Sequence, residues 1–166
     1  MIYIGIDNGL SGALVALSDS PGLPPIASTV MPLQSRTKGH EVDIRGVVGW
    51  INSVTGFNRE HCCIVIETPG KHSPGVHALC SMWDSFGRLC ALCELKGLRH
   101  FRVQPQAWQK VMLPGCEKGQ TKPHALAVAH RLWPYESWIA TPKGRKPHAG
   151  VIDAALIAEY ARRTGL

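Results

Sequence analysis

No apolar run in this chain approaches the ~20 residues needed to cross a bilayer. No stretch is patterned as a signal or transit peptide, since an apolar strand pattern starts at Ile2. Internal repeats, low-complexity tracts and linker-like segments are also missing. These absences predict a soluble protein with no membrane partner. Its 166 residues suit one domain, residues 1–166, with a core of its own and little room for a second. Cysteine placement argues against a zinc or disulfide scaffold. Of six cysteines, only Cys90 and Cys93 form a C-x-x-C pair, and they lie within Trp83 to Leu95, an apolar-striped helical pattern. No second pair and no nearby His pair completes a tetrahedral set. Free thiols packed in a core, in a reducing compartment, are expected. Acidic residues are few as well: 12 Asp and Glu stand against 18 Lys and Arg, giving a net charge of +6 and a pI of about 9.2. Such a surplus suits a phosphate backbone, although many basic proteins bind no nucleic acid.

Three of the scarce acids stand where acids are unusual. Tyr3-Ile4-Gly5-Ile6-Asp7 ends an apolar strand on a carboxylate, directly before a glycine-punctuated turn and a second strand, Leu14 to Leu17. A buried unpaired charge is costly unless it is hydrogen-bonded or coordinates a metal. Asp7 is therefore either an ordinary hairpin-turn residue or a site residue beside the space that glycines leave open. Cys62 to Glu67 repeats the pattern, a short apolar run of the buried-strand kind ended by a lone acid and then by Pro69-Gly70. Two such strands side by side put both acids at one sheet edge, where open sheets bind ligands. Asp153 opens the last predicted helix. Capping is one reading of it; the other sets it, among small residues that permit close packing, against the edge already carrying two acids. Divalent cations relieve that repulsion, and oxygen ligands suit magnesium or manganese.

Turn signals and periodicity predict three antiparallel strands at 2–7, 12–18 and 25–31 and a helix over 43–54 capped by Asp43. The strand ending at Glu67 follows, then a long helix over about 76–96, a short strand at 100–103, and helices at 105–111, 121–132 and 151–163. The fold class is α/β, a mixed sheet covered by helices.

Taken in order, these pieces resemble the ribonuclease H-like superfamily and, within it, the RuvC-type Holliday junction resolvases, most of all their compact phage-encoded and chloroplast branch. The resemblance is carried by Gly5-Ile6-Asp7 with Ser11-Gly12-Ala13, Val65-Ile66-Glu67, Val103-Gln104-Pro105 with Trp108, the segment Lys118 to Lys122, Leu132-Trp133-Pro134, and Lys146-Pro147-His148 leading into Asp153 to Glu159. No single piece is specific; the ordered set, spanning nearly the whole chain, is. It implies a ribonuclease H-like mixed sheet of three antiparallel plus two parallel strands flanked by helices. It also implies a magnesium-dependent endonuclease, with manganese substituting and no small-molecule cofactor. Such an enzyme acts as a homodimer and nicks two strands of a four-way DNA junction symmetrically. The matching compartment is the cytoplasm of a bacterium or phage-infected host, or an organelle if a transit peptide has been removed. Asp7, Glu67 and Asp153 map onto the family's metal-binding acids, which hold two ions, while basic side chains offset charge in the transition state. Two positions depart from the pattern. Ala149 stands where the family's His-Asp-Gly carries a fourth carboxylate, and Asn8 where proline is common. With a ligand missing, the chain is expected to bind junctions yet cleave slowly or not at all.

Two loops are candidates for reading DNA. Lys71, His72 and Ser73 follow Glu67, a position that favours function over incidental surface polarity. Lys118 and Lys122 border a helix start whose amides can bind a phosphate. Each of these two lysines alone is equally well a solvated loop or cap residue, while Lys143, Arg145 and Lys146 lie in a turn-rich stretch near the acids. His148 is a candidate ligand, general acid or phosphate contact, or simply a helix cap. Of the five tryptophans, only Trp138, between loops, is read as a stacking platform; the others are read as core. Two further classes stay open. One is a non-catalytic branched-DNA-binding module on the same fold, which Ala149 favours. The other is a fragment of the sugar-kinase and actin-like fold, which shares Gly-Ile-Asp-x-Gly but needs a second half that this length does not supply.

Overall fold

Strands that are apolar at every position need cover on both faces, so the two such runs here belong in the middle of a sheet. A computed structural model describes residues 1–56, 58–70, 75–141 and 144–166. Its elements are β1 (Ile2–Asp7), β2 (Ala13–Ser18), β3 (Ala27–Val30), β4 (Leu33–Ser35), β5 (His40–Val42), α1 (Ile44–Thr55), β6 (Cys62–Glu67), α2 (Val76–Leu95), β7 (His100–Val103), α3 (Pro105–Met112), α4 (Thr121–Leu132) and α5 (Ala149–Thr164). The main sheet has the order β3-β2-β1-β6-β7. β1–β2 and β2–β3 are antiparallel, whereas β1–β6 and β6–β7 are parallel. This is the expected mixed, ribonuclease H-like sheet, and each expected strand and helix is present with its ends shifted by at most two residues.

Side-chain alternation along the strands sorts the core into two layers. Ile4, Ile6, Leu14, Ala16, Ile64 and Ile66 face α1 and α2, joining Val47, Ile51, Phe86 and Leu89. Tyr3, Val15, Leu17, Cys63 and Val65 face the other way, onto Trp108, Trp133 and the small-residue face of α5 with Ala154, Ala155, Ala158 and Ala161. Helix α5 lies very close to β1. A Cβ at Gly5 would collide with the carbonyl oxygen of Ala154, so only glycine permits this approach.

The β4–β5 hairpin is an unexpected element. Its three-residue strands are largely exposed and carry no apolar alternation. Polar side chains hold it instead: Gln34 Nε2 donates to Glu41 Oε1 at 2.6 Å, and Arg88 on α2 reaches Glu41 Oε2 at 2.6 Å. Two tryptophan readings are corrected. Trp138 is 3% exposed and packs against Trp133 with ring centroids 5.5 Å apart, because folding back over the end of α4 buries its large apolar surface. Trp83, expected in the core, is 50% exposed on α2. Among the described residues no disulfide joins the cysteines; Cys62, Cys63, Cys90 and Cys93 are buried, Cys116 is half-buried and Cys80 is exposed. Burial pushes the Cys93 thiol up to about 12, with the charges of Cys90, Cys62 and Glu94 adding to it, as suits a packing residue. Among the described residues no helix is long and apolar enough to cross a membrane.

Candidate active site

Parity and register bring the first two acids together. β1 and β6 pair in parallel with Ile6 opposite Ile66, so one residue further on Asp7 and Glu67 stand side by side at the strand ends. Both share the parity of Tyr3 and Cys63, which face α5. Asp153 lies on α5 next to Ala154, the residue pressed against Gly5. The three acids thus converge from two strands and one helix.

Nearby groups fix this corner. Trp108 of α3 donates its indole N–H to Glu67 Oε1 at 2.7 Å. Asn8, 2% exposed, donates its amide to the Glu67 backbone carbonyl and ties the two strand ends together. Its own Oδ1 is buried without a partner among the described residues. The Gly9 N–H donates to Asp7 Oδ1 at 3.3 Å. At the start of α5, a Cβ on Gly150 would meet the Ser11 carbonyl oxygen at 2.8 Å, so the helix end sits directly on the β1–β2 turn. His148 is the N-cap there, its Nδ1 accepting from Val151 N–H at 3.3 Å, and its own backbone N–H donates to the Trp138 carbonyl at 2.8 Å. Trp138 holds a positive φ of 57°, a conformation L side chains rarely adopt, at the residue that anchors this helix start.

The electrostatics mark the corner as unusual. Burial is the main cause that pushes Glu67 up to about 8; the Trp108 bond opposes it, and the charges of Asp7 and Asp153 add to it. Asp153 is raised to about 7 by burial and then by Asp7, while Lys122 pulls it down. Asp7 is raised by burial, against the Gly9 N–H and the charge of His148. Glu159, further along α5, is a useful contrast. It is 4% exposed but bound by Arg162 and by Arg163 at 2.7 Å, an acid paired for structure. No such ion pair reaches the three converging acids among the described residues.

Buried carboxylates of this kind, with Asp7 raising both of the others, are a donor set fitted to a hard divalent cation, whose charge would favour the ionised form of all three. Among the described residues, no three His, Cys, Asp or Glu side chains already surround one ion position. The fit therefore rests on donor chemistry and convergence rather than on a closed cage.

The remaining sequence candidates are scattered. Lys122, Lys146, Ala149 and Asp153 line a common cavity of about 320 Å3. Lys118 lies apart from it, lining a cavity between α3 and α4 with Lys110 and Thr121, and Arg145 is exposed. Lys71, His72, Ser73 and Lys143 lie outside the described residues. One placement is corrected: Asp153 does not open α5. The helix begins four residues earlier at Ala149 with His148 as its cap, which moves Asp153 into the second turn, beyond the free amides. Two contributors were missed as site residues, Trp108 and Asn8. The signal for Trp108 was chemical, since a buried indole N–H needs an acceptor; Asn8 offered only its neighbourhood to Asp7.

No protein-family model and no curated protein sequence matches this chain. Among solved structures, it is similar to Thermus thermophilus RuvC in complex with Holliday junction substrate, with a TM-score of 0.59 and 13% identity over 99% of this chain and 97% of the other. A second Thermus thermophilus RuvC structure gives a TM-score of 0.57 at the same identity and coverage. At that identity the likeness establishes the fold, and the chain has the RuvC-type, ribonuclease H-like fold.

Proposed function

We propose that this chain is a structure-selective endonuclease for four-way DNA junctions, working as a homodimer, with activity reduced or lost through Ala149. The convergence of Asp7, Glu67 and Asp153 on the α5 side of the sheet carries this reading, and the RuvC-type fold supports it. Asp7, Glu67 and Asp153 would hold magnesium, with manganese able to replace it. When bound, the metal supplies Lewis acidity, which lets water ionise near neutral pH and offsets charge on the leaving oxygen. Trp108 keeps the Glu67 carboxylate in one orientation, and Asn8 holds the two acid-bearing strand ends together. Lys122 and Lys146, on the cavity wall beside Asp153, are placed to attract a DNA phosphate and offset its charge. One such site cuts one strand, so paired symmetric nicks call for two copies related by a two-fold axis.

A gel comparing four-way junction, duplex and single strand, with and without magnesium, tests this. Preferential binding of the junction by a dimer is expected, with weak magnesium-dependent nicking. Equal affinity for junction and duplex at moderate salt, or a monomer on the junction, contradicts it. A second reading, a non-catalytic module that binds branched DNA, is favoured by the position of Ala149. It is exposed in the first turn of α5, on the cavity that Asp153 lines, with a methyl group where a fourth carboxylate would stand. Junction binding with no nicking at any magnesium or manganese concentration would support that second reading.

A further inference from the structure

Beside the acids lies another cavity, of about 380 Å3, which the proposed chemistry does not use. Thr68 and Pro69, directly after Glu67, line it together with Gln104, Pro105 and Gln106 at the start of α3 and with Trp83 of α2. One wall is fixed, because Thr68 donates both its backbone N–H, at 2.8 Å, and its hydroxyl, at 3.2 Å, to the Val103 carbonyl. The Trp83 ring meets Phe86 at 90° with centroids 5.6 Å apart, and half of the side chain stays in water. A large indole is thus left half solvated at the cavity wall, with apolar surface open to a ligand. Among the described residues none of these lining side chains carries a charge. The cavity offers a flat aromatic surface, two prolines and two amides, each amide both donor and acceptor. Gln104 occupies the N-cap position of α3 but makes no capping bond with its side chain.

We propose that this cavity receives one unpaired nucleobase of the DNA strand whose phosphate lies at the acids, stacked on Trp83 and met along its edge by Gln104 and Gln106. The proposal rests on the nuclease reading above and adds a determinant of base specificity to it. Stacking on an aromatic side chain is tolerant of sequence, whereas a glutamine amide matches N6 and N7 of adenine, so adenine is the preferred occupant. An unpaired base is least costly to supply at a branch point, where stacking is already interrupted.

Junctions carrying one abasic nucleotide at each position near the branch point test the proposal, with affinities measured in calcium for the wild type, Trp83→Ala and Trp83→Phe. For the wild type, one position is expected at which removing the base weakens binding about tenfold. Trp83→Ala should weaken binding of the intact junction by a similar factor, with unchanged melting temperature, and show no further loss at that position. Trp83→Phe should retain most of the affinity. In the double variant Gln104→Ala with Gln106→Ala, the preference for adenine at that position should disappear. A wild type insensitive to every abasic position overturns the proposal without any variant, and so do losses that simply add. Both of those outcomes leave junction preference intact, whereas equal affinity of the wild type for junction and duplex overturns the nuclease reading along with the cavity.

Discussion

The state of Glu67 is set not only by its fellow acids but also by burial and by Trp108, which is outside the proposed metal-ligand set. Burial drives its pKa up to about 8, and the indole N–H of Trp108 is the group that opposes this, by bonding the charged form. Trp108→Phe keeps most of the buried ring and deletes only that donor. The Glu67 pKa should then rise further, so that the carboxylate is protonated over more of the neutral range. Magnesium affinity is expected to fall by roughly 10–100-fold, as is usual when the support of a metal ligand is removed. The midpoint of magnesium binding against pH should move to higher pH. Calorimetric titration at several pH values measures both, and an unmoved midpoint would show that the indole bond does not set the state of Glu67. Asn8 acts on the same residue through its backbone, and its Oδ1 is buried without a partner among the described residues.

Among the elements, α5 decides whether the site is complete. Its close seat on β1, made possible by Gly5, sets Asp153 opposite the strand-end acids, and Ala149 lies one turn earlier on the same cavity. Ala149→Asp would place a fourth carboxylate beside Asp153, since residues four apart share a helix face. Junction nicking in magnesium should rise strongly. The same variant should melt at a lower temperature in chelator and gain more from magnesium than the parent. Unchanged cleavage together with unchanged magnesium-linked melting would mean that position 149 is only a helix start. The strands that carry Asp7 and Glu67 were legible in the sequence because a central strand needs apolar residues of both parities, and an acid ending such a run is conspicuous. The start of α5 was less legible: its cap is a histidine, a residue type with little capping signal, and two helical residues before Val151 carry no apolar pattern. The β4–β5 hairpin depends on Glu41 meeting Arg88 across 47 residues of chain, which no local pattern reveals. The exchange of roles between Trp83 and Trp138 has the same origin, because the exposure of an aromatic is decided by which distant segment folds over it.

Across the whole molecule, three raised carboxylates turn the site into a source of pH-dependent instability. Glu67 moves from an ordinary value of 4.5 to about 8, Asp153 from 3.8 to about 7, and Asp7 is raised from 3.8, all chiefly by burial. Between the ordinary and the raised values, the folded protein keeps protons that the unfolded chain has released. Stability must therefore fall as pH rises through that window, the reverse of the usual effect of a salt-bridged carboxylate. A divalent cation binds the deprotonated acids of the folded state only, so it should restore most of what is lost, and restore most at the alkaline end. The melting temperature in chelator is expected to decline from about pH 5 to about pH 8, and the gap between magnesium and chelator to widen over the same range. Asp7→Asn provides the control, because Asp7 is the charge that raises both other acids. This variant should make the decline in chelator shallower without abolishing it, since burial still raises Glu67 and Asp153, and should lose most of the magnesium-linked gain and any cleavage. It should still bind junctions, with affinity equal to or above the parent since less negative charge faces the phosphates. A chelator melting temperature that rises across the window, or an Asp7→Asn variant that keeps the full magnesium response, would mean that the three acids do not act as one coupled site.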